Sequence, residues 1–398
     1  MLELETAVAQ VRAAMPAPVA ERIPLPESAG RILAEAILSP LDLPPFDNSA
    51  MDGYAVRASD VRGATAEAPI RLRLRARIVA GKSFSGKLAT GECARLFTGA
   101  PMPRGADAVV MQEDTALAGE EVLIRDEVQP CENVRFQGED VRRGAILIES
   151  GEELSPGKIS LLAATGVGDV MAGRRPSVGV LATGSELREA GQPLAPGQIY
   201  ESNRAMLAPL VTQAGGVAKV YPLIPDSLVA TRAALQSAFR ECDLIITSGG
   251  VSVGEMDFVK AAFESLGGEL QFWRVAIRPG KPFVFGRLGE KFLFGLPGNP
   301  VSAFVTFLLL VRPALRCWQG ARVTTLPISA GVLGEAIANS SDRRHFLRAR
   351  MDGAGNVSSA GKQASHLLAS LAAADGLLDV PAQTVLAAGT KVNVLRCF

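Results

Sequence analysis

The run Thr247-Ser248-Gly249-Gly250-Val251-Ser252-Val253-Gly254-Glu255-Met256-Asp257 holds the densest set of chemistry-bearing residue types in the chain. A glycine-rich turn between a strand and a helix exposes successive backbone N–H groups beside a helix N-terminus, which makes an anion cradle by geometry and dipole. A tight turn whose glycines serve only packing is the plain alternative, but Ser248, Ser252 and Asp257 are polar groups that such a turn does not require. Thr183-Gly184-Ser185-Glu186-Leu187 follows another strand and puts Glu186 at the same sheet edge. Two carboxylates, Glu186 and Asp257, beside a phosphate cradle match a hydrated magnesium ion (Mg2+), which takes one or two carboxylates plus phosphate oxygens. Helix capping would also account for Glu186.

A third turn, Ile277-Arg278-Pro279-Gly280-Lys281-Pro282, adds two fixed cations, and Arg274 stands just before it. These supply local positive charge for an oxyanion, or else form a solvated basic turn. Leu296-Pro297-Gly298-Asn299-Pro300 joins a strand to an apolar helix, with Asn299 as cap and Pro300 in the first turn. Local helix-start chemistry explains that turn as well as ligand binding does. Ala80-Gly81-Lys82-Ser83 imitates the end of a Walker A loop, but Ala76 stands where its first glycine belongs. With His345 and His366 as the only histidines, neither a histidine zinc site nor a nucleophile triad is indicated.

The elements that must position these turns read as follows. Strand Val178 to Leu181, a helix from Asn203 to Gln213, strand Val217 to Leu223, a helix capped by Asp226, and strand Leu244 to Thr247 alternate between residues 176 and 325. That pattern predicts a doubly wound, mostly parallel α/β domain with ligands at the carboxyl ends of its strands. Arg71 to Ala80 alternates strictly and Ala108 to Gln112 reads as a strand, so 44–140 is expected to be β-rich. Leu4, Val8 and Val11, then Ile32, Ala36 and Ile37, recur at helical spacing, and Ser155-Pro156 opens a helix over Gly157 to Ala164. One discontinuous helical domain (1–43 and 141–175) with the β-rich domain inserted accounts for this, as would two separate linkers. From 326 to 398, short Val-, Leu- and Gly-rich segments predict a small β barrel or sandwich.

Composition narrows the function classes. At roughly 150 residues per domain, 398 residues make two to four domains. Lys+Arg 41 against Asp+Glu 41 leaves no net field to hold nucleic acid or an anionic membrane. Five scattered cysteines without a Cys-x-x-Cys pair read as reduced thiols, mostly packing residues. The acidic Met1-Leu2-Glu3-Leu4-Glu5 start lacks secretory or transit character, so a cytoplasmic location is expected. Ala303 to Val311 is too short to span a bilayer and reads as a buried helix.

Several long motifs then stand in order: FDNSAMDGYAV (46–56), GEDVRRG (138–144), LATGSEL (181–187), SGGVSVGEMD (248–257), RPGKPFVFG (278–286) and LPGNPVSA (296–303). Together they resemble the molybdopterin molybdenumtransferase family, which gephyrin's E domain also represents, over about residues 32–365. The resemblance implies four domains, one of them discontinuous, and a homodimer whose site is shared between the α/β domain of one subunit and the FDNSAMDGYAV-bearing domain of the other. It implies adenylylated molybdopterin and molybdate as substrates, magnesium-dependent phosphoanhydride cleavage, AMP release, and transient contact with the molybdopterin adenylyltransferase and apo-molybdoenzymes.

Asp52, Thr98, Asp140, Glu186, Asp226 and Asp257 match positions linked to activity in that family. Ser248, Gly249, Gly250, Ser252 and Gly254, with Pro297, Gly298 and Asn299, would hold the nucleotide and cofactor part. Arg274, Arg278, Lys281, Arg348 and Ser365 would face molybdate. Arg274 and Arg278 stand where lysine is common, which keeps charge but changes geometry, and Phe258 replaces a frequent tyrosine. Two other classes share parts of this pattern: a protein-binding scaffold, and another nucleotide-handling enzyme on the α/β domain. The latter would not need FDNSAMDGYAV or GEDVRRG.

Overall fold

Residues 178–182, 244–248 and 291–296 are almost wholly apolar, the composition of strands covered on both faces. In the computed structural model, which describes residues 1–250 and 258–397, they form the centre of a six-stranded sheet. Its order is Val217–Val220, Ser177–Ala182, Leu244–Ser248, Lys291–Leu296, Val284–Leu288 and Glu269–Trp273. The first four strands are parallel and the last two antiparallel, as the α/β pattern predicts. Alternation divides the side chains cleanly. Val178, Val180, Leu244, Ile246, Phe292 and Phe294 face helices Asn203–Gln213 and Pro300–Trp318, whereas Leu181, Ile245 and Leu293 face Leu228–Glu241 and Phe258–Ser265.

The helix Pro300–Trp318 is long and apolar enough to cross a membrane by length and composition, yet 83% of its most apolar window is buried inside the protein. Its apolar surface is therefore already matched by the sheet. A π-helical segment, Phe307–Val311, precedes Pro313. The wider turn accommodates a residue that has no N–H to donate and whose ring crowds the preceding carbonyl.

The chain divides into two compact units: 1–35, 150–154 and 170–398 make one, and 36–149 with 155–169 the other. Besides the α/β sheet, the first unit holds a closed five-stranded barrel. Ile328–Leu333, Asn356–Ser359, Arg344–Met351, Gly376–Val380 and Lys391–Arg396 pair successively, and the last returns to the first. Leu347, Ala349, Val357, Leu378 and Val394 fill it. The second unit holds a six-stranded sheet in the order Ala108–Met111, Gly53–Val56, Glu92–Leu96, Ile70–Ile78, Glu121–Ile124 and Thr115–Ala118.

Leu4–Ala14 and Pro156–Ala164 are helical, the latter capped by the Ser155 side chain. The helix expected around Ile32 to Ile37 does not form. Ile32 and Leu33 bridge antiparallel to Glu153 and Ala172, and Ile37–Leu38 is a strand. Three apolar positions in six residues are too short a run to nucleate a helix, and long-range pairing satisfies the backbone instead. The cap of Leu228–Glu241 is also corrected: Ser227, not Asp226, accepts from the Ala230 N–H.

Candidate functional site

Three parallel strands end in register, with Ala182, Ser248 and Leu296 side by side. Each hands the chain to one of the turns singled out above. Thr183 N–H donates to Ser248 O (3.1 Å) and Gly249 N–H to Leu296 O (3.1 Å), so the turns are laced together at their roots. Above them lies a cavity of about 570 Å³, lined by Thr183, Glu186, Ser248, Gly249, Gly250, Pro297, Gly298 and Asn299 together with Tyr200, Glu201, Ser202, Asn203 and His366.

The glycines are needed there. Gly249 has φ +87° and a Cβ would come within 2.8 Å of Thr183 O; Gly250 has φ +68° and a Cβ would meet Val259 at 2.7 Å. Side chains disfavour that left-handed backbone and would also fill the floor of the cavity. Ser252, Gly254 and Asp257 lie outside the described residues.

Asn203, which the sequence reading used only as a helix start, bridges two walls: its Nδ2 donates to Ser248 Oγ (2.6 Å) and to Gly298 O (2.7 Å). It opens the helix Asn203–Gln213, so two helix N-termini, this one and that of Pro300, border the cavity. Their dipoles favour a negatively charged ligand, although Arg204 N–H already donates to Glu201 Oε1. Buried Asn203 Oδ1, Thr183 Oγ1 and Thr247 Oγ1 have no partner among the described residues. Asn299 sits at the cap position but makes no capping bond; its amide donates to Ser365 Oγ at 3.0 Å. Val301 N–H donates to Ser365 O at 3.1 Å. Asn299 and Ser365, far apart in sequence, are thus brought together.

Among the described residues, two carboxylates line the cavity. Glu201 is occupied by buried Arg204, which reaches Glu189 as well. Glu186 is exposed and has no side-chain partner among the described residues. Asp226 does not line the cavity. Its Oδ2 accepts from Ser185 N–H (2.9 Å) while Ser185 Oγ accepts from Asp226 N–H (3.0 Å), a reciprocal clasp that holds the turn carrying Glu186.

The cations expected to face molybdate lie around the cavity rather than in its lining. Arg274, Arg278 and Lys281 do not line the cavity; Lys281 and Arg278 are exposed, and Arg274 lies over the Trp273 ring at 4.0 Å. Arg348, expected to face molybdate, is buried and well bonded. It is 0% exposed, and its guanidinium donates to Lys362 O (2.9 Å), Ala364 O (3.1 Å), Gln363 O (3.3 Å) and Ser370 Oγ (2.9 Å). Burial without a carboxylate holds its pKa down at about 10. What Arg348 grips is the loop leading to Ser365 and His366.

The second unit carries the remaining residues. Asp52 Oδ1 accepts from the N–H (2.7 Å) and Oγ1 (2.8 Å) of Thr98. Those two bonds, and the charge of Arg95, hold its carboxyl below the usual range. Asp140 is exposed on the GEDVRRG turn, which is fastened to 42–47: Arg143 N–H donates to Asp42 Oδ1 (2.8 Å) and Gln137 N–H to Asp47 Oδ1 (2.8 Å).

Among the described residues no cluster of three His, Cys, Asp or Glu side chains is preformed for a metal. Magnesium does not need one, since phosphate oxygens and water complete its octahedron. A single unpartnered carboxylate beside an anion-favouring cavity fits that donor set.

An open α/β sheet with a polar, glycine-floored cavity at its carboxyl edge, joined to a closed β barrel, defines a ligand-binding α/β protein of the multi-domain kind. Its relatives give the family. Family models described as "MoeA N-terminal region (domain I and II)", "Probable molybdopterin binding domain" and "MoeA C-terminal region (domain IV)" match residues 2–166, 179–317 and 330–396. The molybdopterin molybdenumtransferase of Haemophilus influenzae is 41% identical over 374 residues, covering 92% of this chain and 91% of the relative. Molybdopterin molybdenumtransferase 2 of Mycobacterium tuberculosis is 42% identical over 379 residues, covering 94% of each. The crystal structure of the molybdopterin biosynthesis MoeA protein from Pyrococcus horikoshii superimposes with a TM-score of 0.84 at 32% identity, covering 99% of both chains. The chain belongs to the molybdopterin molybdenumtransferase family, and it is an enzyme of that kind.

Proposed function

We propose that this enzyme transfers molybdenum from molybdate to adenylylated molybdopterin, cleaving the phosphoanhydride with magnesium and releasing AMP. The observation that carries the reading is the cavity at the ends of three parallel strands, with its glycine floor, two helix N-termini and one unpartnered carboxylate. Backbone N–H groups and helix dipoles there match phosphate. Glu186, with Asp257, would hold the magnesium. When bound, that ion supplies neutralising charge at the phosphate oxygens. Asn203 ties the Ser248 and Gly298 walls together through its Nδ2, and Asn299 with Ser365 presents hydroxyl and amide groups to an oxyanion.

We extend the reading to a four-domain division (1–43 with 141–175, 44–140, 176–325 and 326–398) and to a homodimer in a cytoplasmic setting, with Asp52 and Thr98 completing the partner's site. Phe46, Met51 and Phe136, apolar yet 39–43% exposed in the unit that carries Asp52, support a surface that meets another chain. Handover to apo-molybdoenzymes, and receipt from the molybdopterin adenylyltransferase, follow from the same chemistry.

Glu186→Gln and Asp52→Ala test both parts. Each is expected to lower kcat for AMP release about 100-fold or more with an unchanged fold. Mixed and re-equilibrated, they should recover about a quarter of wild-type turnover, because half the dimers then hold one intact site of two. Normal turnover in either variant would remove its assignment, and no recovery on mixing would remove the shared site.

A further inference from the structure

The strand Ile70–Ile78 carries Arg71, Arg73, Arg75 and Arg77 at alternate positions. Arg71 has Glu121 at 3.2 Å and Arg75 has Glu92 at 3.8 Å. Arg77 has no carboxylate within ion-pair distance among the described residues. Its guanidinium lies instead 5.1 Å from the centroid of the Phe97 ring. Arg95, its register partner on the neighbouring strand, lies 5.1 Å from the same ring and 5.0 Å from the Tyr54 ring. Arg95 also donates to Gln112 Oε1 and, at 3.4 Å, to Gly53 O.

Two guanidinium groups on one aromatic ring repel each other, and an anion held between them removes that repulsion. The rings also orient the planar forks in advance, so little side-chain freedom remains to be lost on binding. Arg77, Arg95, Tyr54, Gln112 and Leu117 border a cleft of about 410 Å³. Phe97 is followed directly by Thr98, which holds Asp52. The charge of Arg95 is felt at the Asp52 carboxyl. A ligand in the cleft therefore lies next to a carboxylate already assigned to the reaction.

We propose that Arg77 and Arg95 form an anion subsite that takes a nucleotide phosphate beside Asp52 and Thr98. This rests on the phosphate-handling reading above, and it gives that reading residues which no motif marked. Paired forks suit the tetrahedral oxyanion of a phosphate ester.

The test is calorimetric titration of the full-length protein with AMP and, separately, with inorganic phosphate. Arg77→Gln, an exposed substitution, is expected to weaken AMP binding about tenfold or more, the effect of losing a charge-assisted hydrogen bond. Arg95→Lys, which keeps the charge but not the fork, should fall between. Arg73→Gln, on the same strand but without a ring contact, should change the affinity by no more than about twofold. Phosphate binding that follows the same order shows that the oxyanion itself is read; AMP binding alone shows that the base contributes too. AMP bound equally by wild type and both variants, or by none of them, overturns the subsite. Wild-type turnover of adenylylated molybdopterin with KM unchanged in Arg77→Gln would sink the subsite and leave the function standing. Arg77-dependent AMP binding without wild-type turnover would do the reverse.

Discussion

His345 and Glu186 show how strongly surroundings decide what a titratable residue does. Glu186 stands exposed at a cavity with no side-chain partner among the described residues. His345 is buried on a barrel strand; desolvation first, then the charges of Arg278 and Arg348, push its pKa from 6.5 down to about 4. It is therefore neutral at physiological pH, and the unfolded chain takes up a proton that the native chain refuses. Because the folded value is the lower one for a base, stability is full above pH 6.5 and declines as pH falls toward 4. Between pH 7 and pH 5 the loss is about 2 kcal/mol. Urea midpoints at the two pH values should show it in wild type and not in His345→Gln; equal losses in both would contradict the assignment. The choice of pH 5 keeps the test clear of Asp52 and Asp243, whose lowered carboxyl values act only at more acid pH.

At the scale of elements, turn chemistry was legible where glycine or proline dictates it. Gly249 and Gly250 mark the cavity floor because their backbone is left-handed, and Ser155-Pro156 marks a helix start because both residues suit a first turn. Asn203 was not legible as a site residue. Nothing local distinguishes an asparagine at a helix start from one that bridges two distant loops, and Ser248 and Gly298 meet it only after the sheet has formed. Arg348 shows a different limit. The family resemblance implies that it faces molybdate, but sequence cannot say that its donors are turned inward onto the 362–364 carbonyls. The geometry makes it a positioning residue for Ser365. Arg348→Met should leave those carbonyls without donors, cost about 3 kcal/mol of stability, and raise amide exchange across 362–366. Unchanged exchange in that loop would contradict the role.

For the whole molecule, a net charge of zero means that every anion must be met by a local arrangement rather than by a bulk field. Each compact unit carries such an arrangement: the glycine-floored cavity in one, and the Arg77–Arg95 cleft in the other. The α/β order, the inserted β-rich segment and the C-terminal barrel could be read from periodicity, because strands buried on both faces and strands covered on one face leave different hydrophobic patterns. The pairing of 32–33 with 153 and 172 could not, since it depends on partners more than a hundred residues away.

The most direct test of the central claim is AMP release from adenylylated molybdopterin by the purified wild-type protein with magnesium, followed by chromatography with molybdate present and omitted. Release stimulated by molybdate, with a molybdenum-bearing dithiolene as product, is the predicted result. A folded protein that releases no AMP under either condition would contradict it.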